Sequence, residues 1–169
     1  MKIYADGKDL MPDIPDMPEE LFYERLERIF SSELLKKGSI PECVRETEVS
    51  VTFVEPEKMA DINSRYRQIN APTDVLSFPL WEENAAFNPP WNWEKLPLGD
   101  ILVCPDTVAS NAKENNRTFA EELVLVLSHG LLHLIGYDHD NAERESDMWA
   151  EQDLMVRMFF AGDDPADGK

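Results

Sequence analysis

The sequence predicts an α+β chain, a single domain in which a small mixed β-sheet packs against helices and a central buried helix carries three histidines. Three observations lead there. Glu48 to Glu55 alternates, with Val49, Val51 and Phe53 on one side, which is the period of a half-buried strand. Leu123 to Leu127 is apolar on every side and follows a capping box, Thr118 with Glu121, so it reads as a helix surrounded by protein. The strands between helical patterns are too few for a barrel, which leaves one mixed sheet backed by helices. Periodicity does not give its strand order.

In chain order, Lys2 to Ala5 reads as a short opening strand, and the proline-interrupted Asp13 to Pro18 as a loop. From Glu19, the apolar positions Leu21, Phe22, Leu26, Ile29, Phe30 and Leu34 recur at helical spacing, closed by Lys36-Lys37-Gly38. Pro56 suits the first turn of a helix running over Glu57 to Tyr66. Asp74 to Phe78, closed by Pro79, is a second strand. Glu82 to Lys95 holds Asn88-Pro89-Pro90 with Phe87, Trp91 and Trp93, and reads as a long loop or flap, folded onto the surface or walling a cleft. Leu98 to Val103 resumes as strand, and Cys104-Pro105-Asp106-Thr107 opens a helix. Asp140 with Glu143 repeats the capping signature before a last helix to Phe160. The domain is expected to span residues 1–162, with 163–169 a disordered acidic tail.

The chain has 169 residues, enough for a single sizeable core. Its first residues lack the apolar run of a signal peptide, and no apolar run approaches bilayer length. Cys43 and Cys104 are too few for a disulfide scaffold, so the expectation is a cytoplasmic protein without a membrane partner. With 34 acidic against 16 basic side chains, the net charge is −18. That balance argues against nonspecific adhesion to nucleic acid, and no DNA partner is expected. Asn63 to Asn70, with Arg65 and Arg67 and no acid, is a local exception.

All three histidines fall in one stretch, His129-Gly-Leu-Leu-His133-Leu-Ile-Gly-Tyr-Asp-His139. Residues four apart on a helix share a face, so His129 and His133 can reach one ion. Gly136 can end the helix in a left-handed conformation and turn His139 back to the same point. Three imidazoles with an open fourth position suit catalytic zinc, one ion per chain, although nickel, cobalt, copper or iron would fit similar ligands. The spacing is also that of a long zinc-protease signature, but Gly130 stands where that chemistry needs a glutamate. Asp138, Asp140, Asp74 and Asp100 are the carboxylates that could serve instead. Asp138 reads more readily as a turn cap or solvated group than as a catalyst. Asp100 reads equally as an acceptor for the outer N–H of a ligand imidazole or as a turn-stabilising carboxylate.

Four ordered segments resemble the YbeY endoribonuclease family of bacterial rRNA maturation factors. They are the histidine stretch, Asn63-Ser-Arg65-Tyr-Arg67, Pro72-Thr-Asp-Val-Leu-Ser-Phe-Pro79 and Leu98-Gly-Asp-Ile101. With the helix that includes Met148 and Glu151, the likeness runs from Glu48 to Phe160. The resemblance implies a zinc-dependent, single-strand-specific endoribonuclease acting in 16S rRNA 3′-end maturation and ribosome quality control. It implies that His129, His133 and His139 hold the metal and that Arg67 lies in the cleft beside it. Without the resemblance, Arg67 reads as a salt-bridge partner for one of the many carboxylates. The chain departs from the family in its acidity and in a longer, more aromatic Asn84 to Lys95 segment. Single-stranded rRNA and the small ribosomal subunit are the implied partners, with a ribosomal protein or assembly GTPase presenting the substrate. Trp91 and Trp93 either stack unpaired bases or pack against the domain. The competing readings are a zinc protease and a non-enzymatic ribosome-assembly module with structural zinc.

Overall fold

A computed structural model describes residues 1–38, 40–83, 86–139 and 141–161. The expected tail, 163–169, lies outside the described residues, as does Asp140. The strands are β1 (Lys2–Asp6), β2 (Glu46–Phe53), β3 (Val75–Pro79), β4 (Glu82–Glu83), β5 (Ala86–Phe87) and β6 (Lys95–Val103). The helices are α1 (Glu19–Lys37), α2 (Pro56–Arg67), α3 (Pro105–Glu114), α4 (Phe119–Leu134) and α5 (Ala142–Phe160), with a 3-10 turn at Lys8–Leu10. The main sheet runs β1-β2-β6-β3; β1 and β6 lie parallel to β2, and β3 lies antiparallel to β6. This is the expected α+β architecture with a mixed sheet.

α4 packs against one face of β3 and β6 and is flanked by α3 and α5, with α1 beyond. Its Leu123, Leu127, Leu131, Leu132 and Leu134 are fully buried, as the unbroken apolar run requires. The capping box forms: Thr118 Oγ1 accepts from the Glu121 N–H at 3.2 Å, and Glu121 Oε2 accepts from the Thr118 N–H at 2.7 Å. The opposite face of the sheet carries a smaller cluster in which Met59 of α2 meets Leu76 and Cys104.

Three expectations need correction. β6 starts at Lys95 rather than Leu98, running through Pro97 and Gly99. A β-bulge permits this, since Glu48 pairs with Pro97 and Val49 with Gly99, leaving Leu98 as the extra residue. The bulge also shifts the parity of the strand. Leu96, Leu98, Ile101 and Val103 therefore all join the main core. Gly99 sits at φ +147°, where a Cβ would come within 2.3 Å of the Phe78 carbonyl oxygen. Second, the expected long loop contains a small antiparallel hairpin, β4 with β5. Third, α5 is capped by Asn141, whose Oδ1 accepts from the Arg144 N–H at 3.0 Å.

Candidate metal centre

The last turn of α4 and the loop after it build the site. His129 and His133 stand one turn apart on the helix. Gly136 adopts φ +83°, as expected of a helix-ending glycine. The Tyr137 N–H reaches the Leu132 carbonyl at 2.9 Å and the Gly136 N–H reaches that of His133 at 3.1 Å, the paired bonds of a Schellman ending. The turn is then tied to α1, because the Tyr137 hydroxyl donates to the buried Glu33 Oε1 at 2.9 Å. Burial and the Glu33 carboxylate push the Tyr137 phenol well above its usual range, so it remains a donor. His139 Nα donates to Asp138 Oδ1 at 2.8 Å, closing the approach of the third histidine.

The ligand-capable atoms of His129, His133 and His139 lie within 4.8 Å of one another. The Nε2 atoms of His129 and His133 are 3.1 Å apart. On the other side of the first ring, His129 Nδ1 lies 3.0 Å from Gln152 Oε1 of α5. A carbonyl oxygen only accepts, so Nδ1 carries the proton and Nε2 keeps its lone pair for a ligand bond. Burial, opposed by the Gln152 bond, lowers the His129 pKa below the ordinary imidazole value. Burial first, then the neighbouring His129 and His139 rings, pull His133 down to about 4. At neutral pH both are unprotonated, the form that binds metal. The cluster is thus a potential three-histidine metal site.

A cavity of about 280 Å³ opens over the cluster, lined also by Arg67, Thr73, Asp74, Ser77, Trp149 and Gln152. A smaller hollow of about 130 Å³ beside it brings Arg67 and Ser77 together with His133, Tyr137 and Asp138. Arg67 is exposed at the C-terminal end of α2 and lines both hollows. Asp74 is occupied as a structural acceptor, taking the Val75 N–H at 2.8 Å and Asn111 Nδ2 at 3.1 Å.

Two expected regions are not brought to the cluster. Asp100 is exposed and pairs in register with Phe78, whose side chain packs in the cluster on the far face of the sheet. The acceptor at the His129 ring is Gln152. Trp91 is 81% exposed and Trp93 packs edge-on against Trp81 at 5.3 Å. Neither lines the hollows that hold the histidines and Arg67. Gln152 and Trp149 had not been singled out from sequence. The available signal for Gln152 was its place in the stripe Met148, Gln152, Met155, Phe159, where one polar residue interrupts an apolar helix face.

The endoribonuclease YbeY family model matches residues 16–159. The chain belongs to the YbeY family. An endoribonuclease YbeY of Lysinibacillus sphaericus is 39% identical over 155 residues, covering 90% of this chain and 97% of that relative. One from Shouchella clausii is 40% identical over 121 residues, covering 70% and 76%. The solution structure of a Thermotoga maritima protein matches with a TM-score of 0.58 at 29% identity, covering 95% of this chain and 90% of the other. Among the described residues, no helix is long and apolar enough to cross a membrane.

Proposed function

We propose that the chain is a zinc-dependent, single-strand-specific endoribonuclease acting in 16S rRNA 3′-end maturation and ribosome quality control. The observation behind this reading is the convergence of three histidine nitrogens within 4.8 Å of one another, in a cavity that Arg67 also lines. Membership of the family supplies the substrate class. The catalytic domain is residues 1–162, working in the cytoplasm.

The residues fit zinc. Tetrahedral ligands at ~2.05 Å from the ion stand about 3.3 Å from each other. The 3.1 Å between His129 and His133 Nε2 is close to that edge. His129 is held in the ligand tautomer by Gln152, and burial keeps His133 neutral. One ion per chain, bound by His129, His133 and His139, would lower the pKa of a coordinated water towards 7 and polarise a phosphoryl oxygen. Arg67 grips the phosphate through its guanidinium fork and offsets charge that builds in the transition state. Asp138 has one oxygen committed to the His139 N–H and keeps Oδ2 for a proton.

The acidic surface limits adhesion to RNA at large and suits docking on a basic ribosomal protein, or on an assembly GTPase, that presents the small subunit's RNA.

The test sets wild type against His133→Ala on single-stranded RNA, duplex RNA and an unfolded polypeptide, with metal content measured on both proteins. The expected result is cutting of unpaired RNA alone, abolished together with the metal in the variant. Metal-dependent cleavage of the polypeptide would replace this reading with a protease. No cleavage of free RNA or of ribosomal subunits would leave an assembly module.

A further inference from the structure

Trp149 stands on the exposed side of α5 between two buried neighbours on that helix, Met148 and Gln152. Those two fix its backbone against α4. Its own side chain nevertheless remains 56% exposed, which is unusual for so large an apolar surface. It is exposed into the cavity above the histidines, which it lines together with Arg67. The wall of the same cavity is partly apolar, from Val75, Leu125 and Val126. At about 280 Å³ the cavity falls just below the range of small-ligand pockets, too small for a helix and suited to a single nucleotide.

We infer that Trp149 is the platform on which an unpaired nucleobase stacks when its phosphate lies at the histidine cluster and Arg67. This deepens, and rests on, the endoribonuclease reading. A base inside a duplex has both faces covered by its neighbours, so only an unpaired or extruded base can offer a face to the indole. The stacking residue would therefore also be a source of selection for single strands. Every base has such a face, and of the polar groups lining the cavity Asp74 is already bonded to Val75 and Asn111, and Gln152 to His129. The stacking contribution itself is tolerant of sequence. Trp149 lines this cavity, whereas Trp91 and Trp93 do not.

The test is stopped-flow fluorescence anisotropy of a labelled oligouridylate on the zinc-loaded chain, with cleavage followed in the same samples. The proteins are wild type, Trp149→Ala, Trp149→Phe and, as a control outside the cavity, Trp91→Ala. Trp149→Ala should weaken binding roughly tenfold or more, with Phe restoring most of it and Trp91→Ala unchanged. An oligonucleotide carrying abasic residues should bind wild type as weakly as the normal one binds Trp149→Ala, and lose nothing further in that variant. Binding to duplex RNA should not respond to the substitution. Equal affinity of wild type and Trp149→Ala, an abasic penalty that persists undiminished in the variant, or no binding of the oligonucleotide at all would overturn the proposal. Trp149-dependent binding without cleavage would keep the platform and remove the nuclease reading. Cleavage indifferent to Trp149 would do the reverse.

Discussion

Replacing Gln152 with Leu should weaken zinc binding about 10- to 100-fold while leaving the metal-free fold close to its original stability. Gln152 is 9% exposed and bonded to His129 Nδ1 at 3.0 Å. Leucine keeps the buried bulk and removes the acceptor. In the metal-free variant the His129 ring can move its proton to Nε2, where the His133 ring nitrogen lies 3.1 Å away, so little is left unsatisfied. With metal bound that escape is closed, because Nε2 must offer its lone pair and Nδ1 must keep its proton without a partner. An unsatisfied buried donor costs about 1–3 kcal/mol, which is roughly 5- to 150-fold in affinity and brackets the expected loss. Loss of a hydrogen-bond partner behind a metal-bound histidine typically has that size. Competition with a chromogenic chelator at pH 7.5 measures the affinity, and urea unfolding of the chelated proteins measures the fold. Gln152→Glu, which preserves an acceptor and adds charge, should bind at least as tightly as wild type. A leucine variant within twofold of wild type in zinc affinity would refute the reasoning that Gln152 sets the tautomer.

Two further outcomes follow from the same geometry. The metal-free fold should lose stability on acidification, because an unfolded His133 takes up a proton near its usual value whereas the folded ring resists down to about 4. The contribution is complete above the unfolded pKa and disappears as pH falls through the folded one. It amounts to no more than about 2 kcal/mol at pH 5, and less once solvent screening at this partly exposed ring is allowed for. Urea midpoints of chelated wild type and His133→Gln at pH 7.5 and pH 5 isolate it, and an identical pH response in the two would contradict the assignment. Arg67→Ala should lower cleavage of single-stranded RNA by roughly 100-fold, worth about 3 kcal/mol at the transition state, with zinc content unchanged. Undiminished activity would return Arg67 to an ordinary surface cation.

The parts of the fold legible in the sequence were those dictated by local patterns. Thr118 with Glu121 announced the start of α4, Gly38 and Gly136 the ends of two helices, and Val49, Val51 and Phe53 the buried face of β2. Less legible were features that depend on a partner element. The early start of β6 needs a bulge opposite Glu48, and nothing local to Pro97 or Gly99 reveals that β2 will supply it. Strand order was hidden for the same reason. In the candidate site, the histidines lie close together in sequence and could be grouped by spacing alone. Gln152 and Trp149 reach them across the α4–α5 packing, so their distance from the cluster follows from tertiary contact and not from sequence proximity. Asp100 shows the opposite case, where a plausible acceptor is turned to the other sheet face by the parity of its strand.

Gly130 weighs against a protease reading of this histidine spacing. A Cβ there would lie 2.9 Å from Ile101 Cγ2 and 3.2 Å from Ser77 Oγ. The position after the first histidine therefore faces the sheet, at a point where α4 approaches β3 and β6 so closely that even a Cβ would require the Ile101 side chain to shift. A glutamate at 130 would have to displace strand side chains before it could approach the metal. The same close approach lets Ser77 and Arg67 share the hollow beside His133. Amide hydrolysis needs a base to activate water and then an acid for the leaving nitrogen, which that glutamate would supply. A phosphodiester brings its own negative charge, and the first requirement is a fixed cation beside the metal. With helix packing excluding the carboxylate and a guanidinium at the rim, the site is better matched to phosphoryl chemistry than to peptide cleavage.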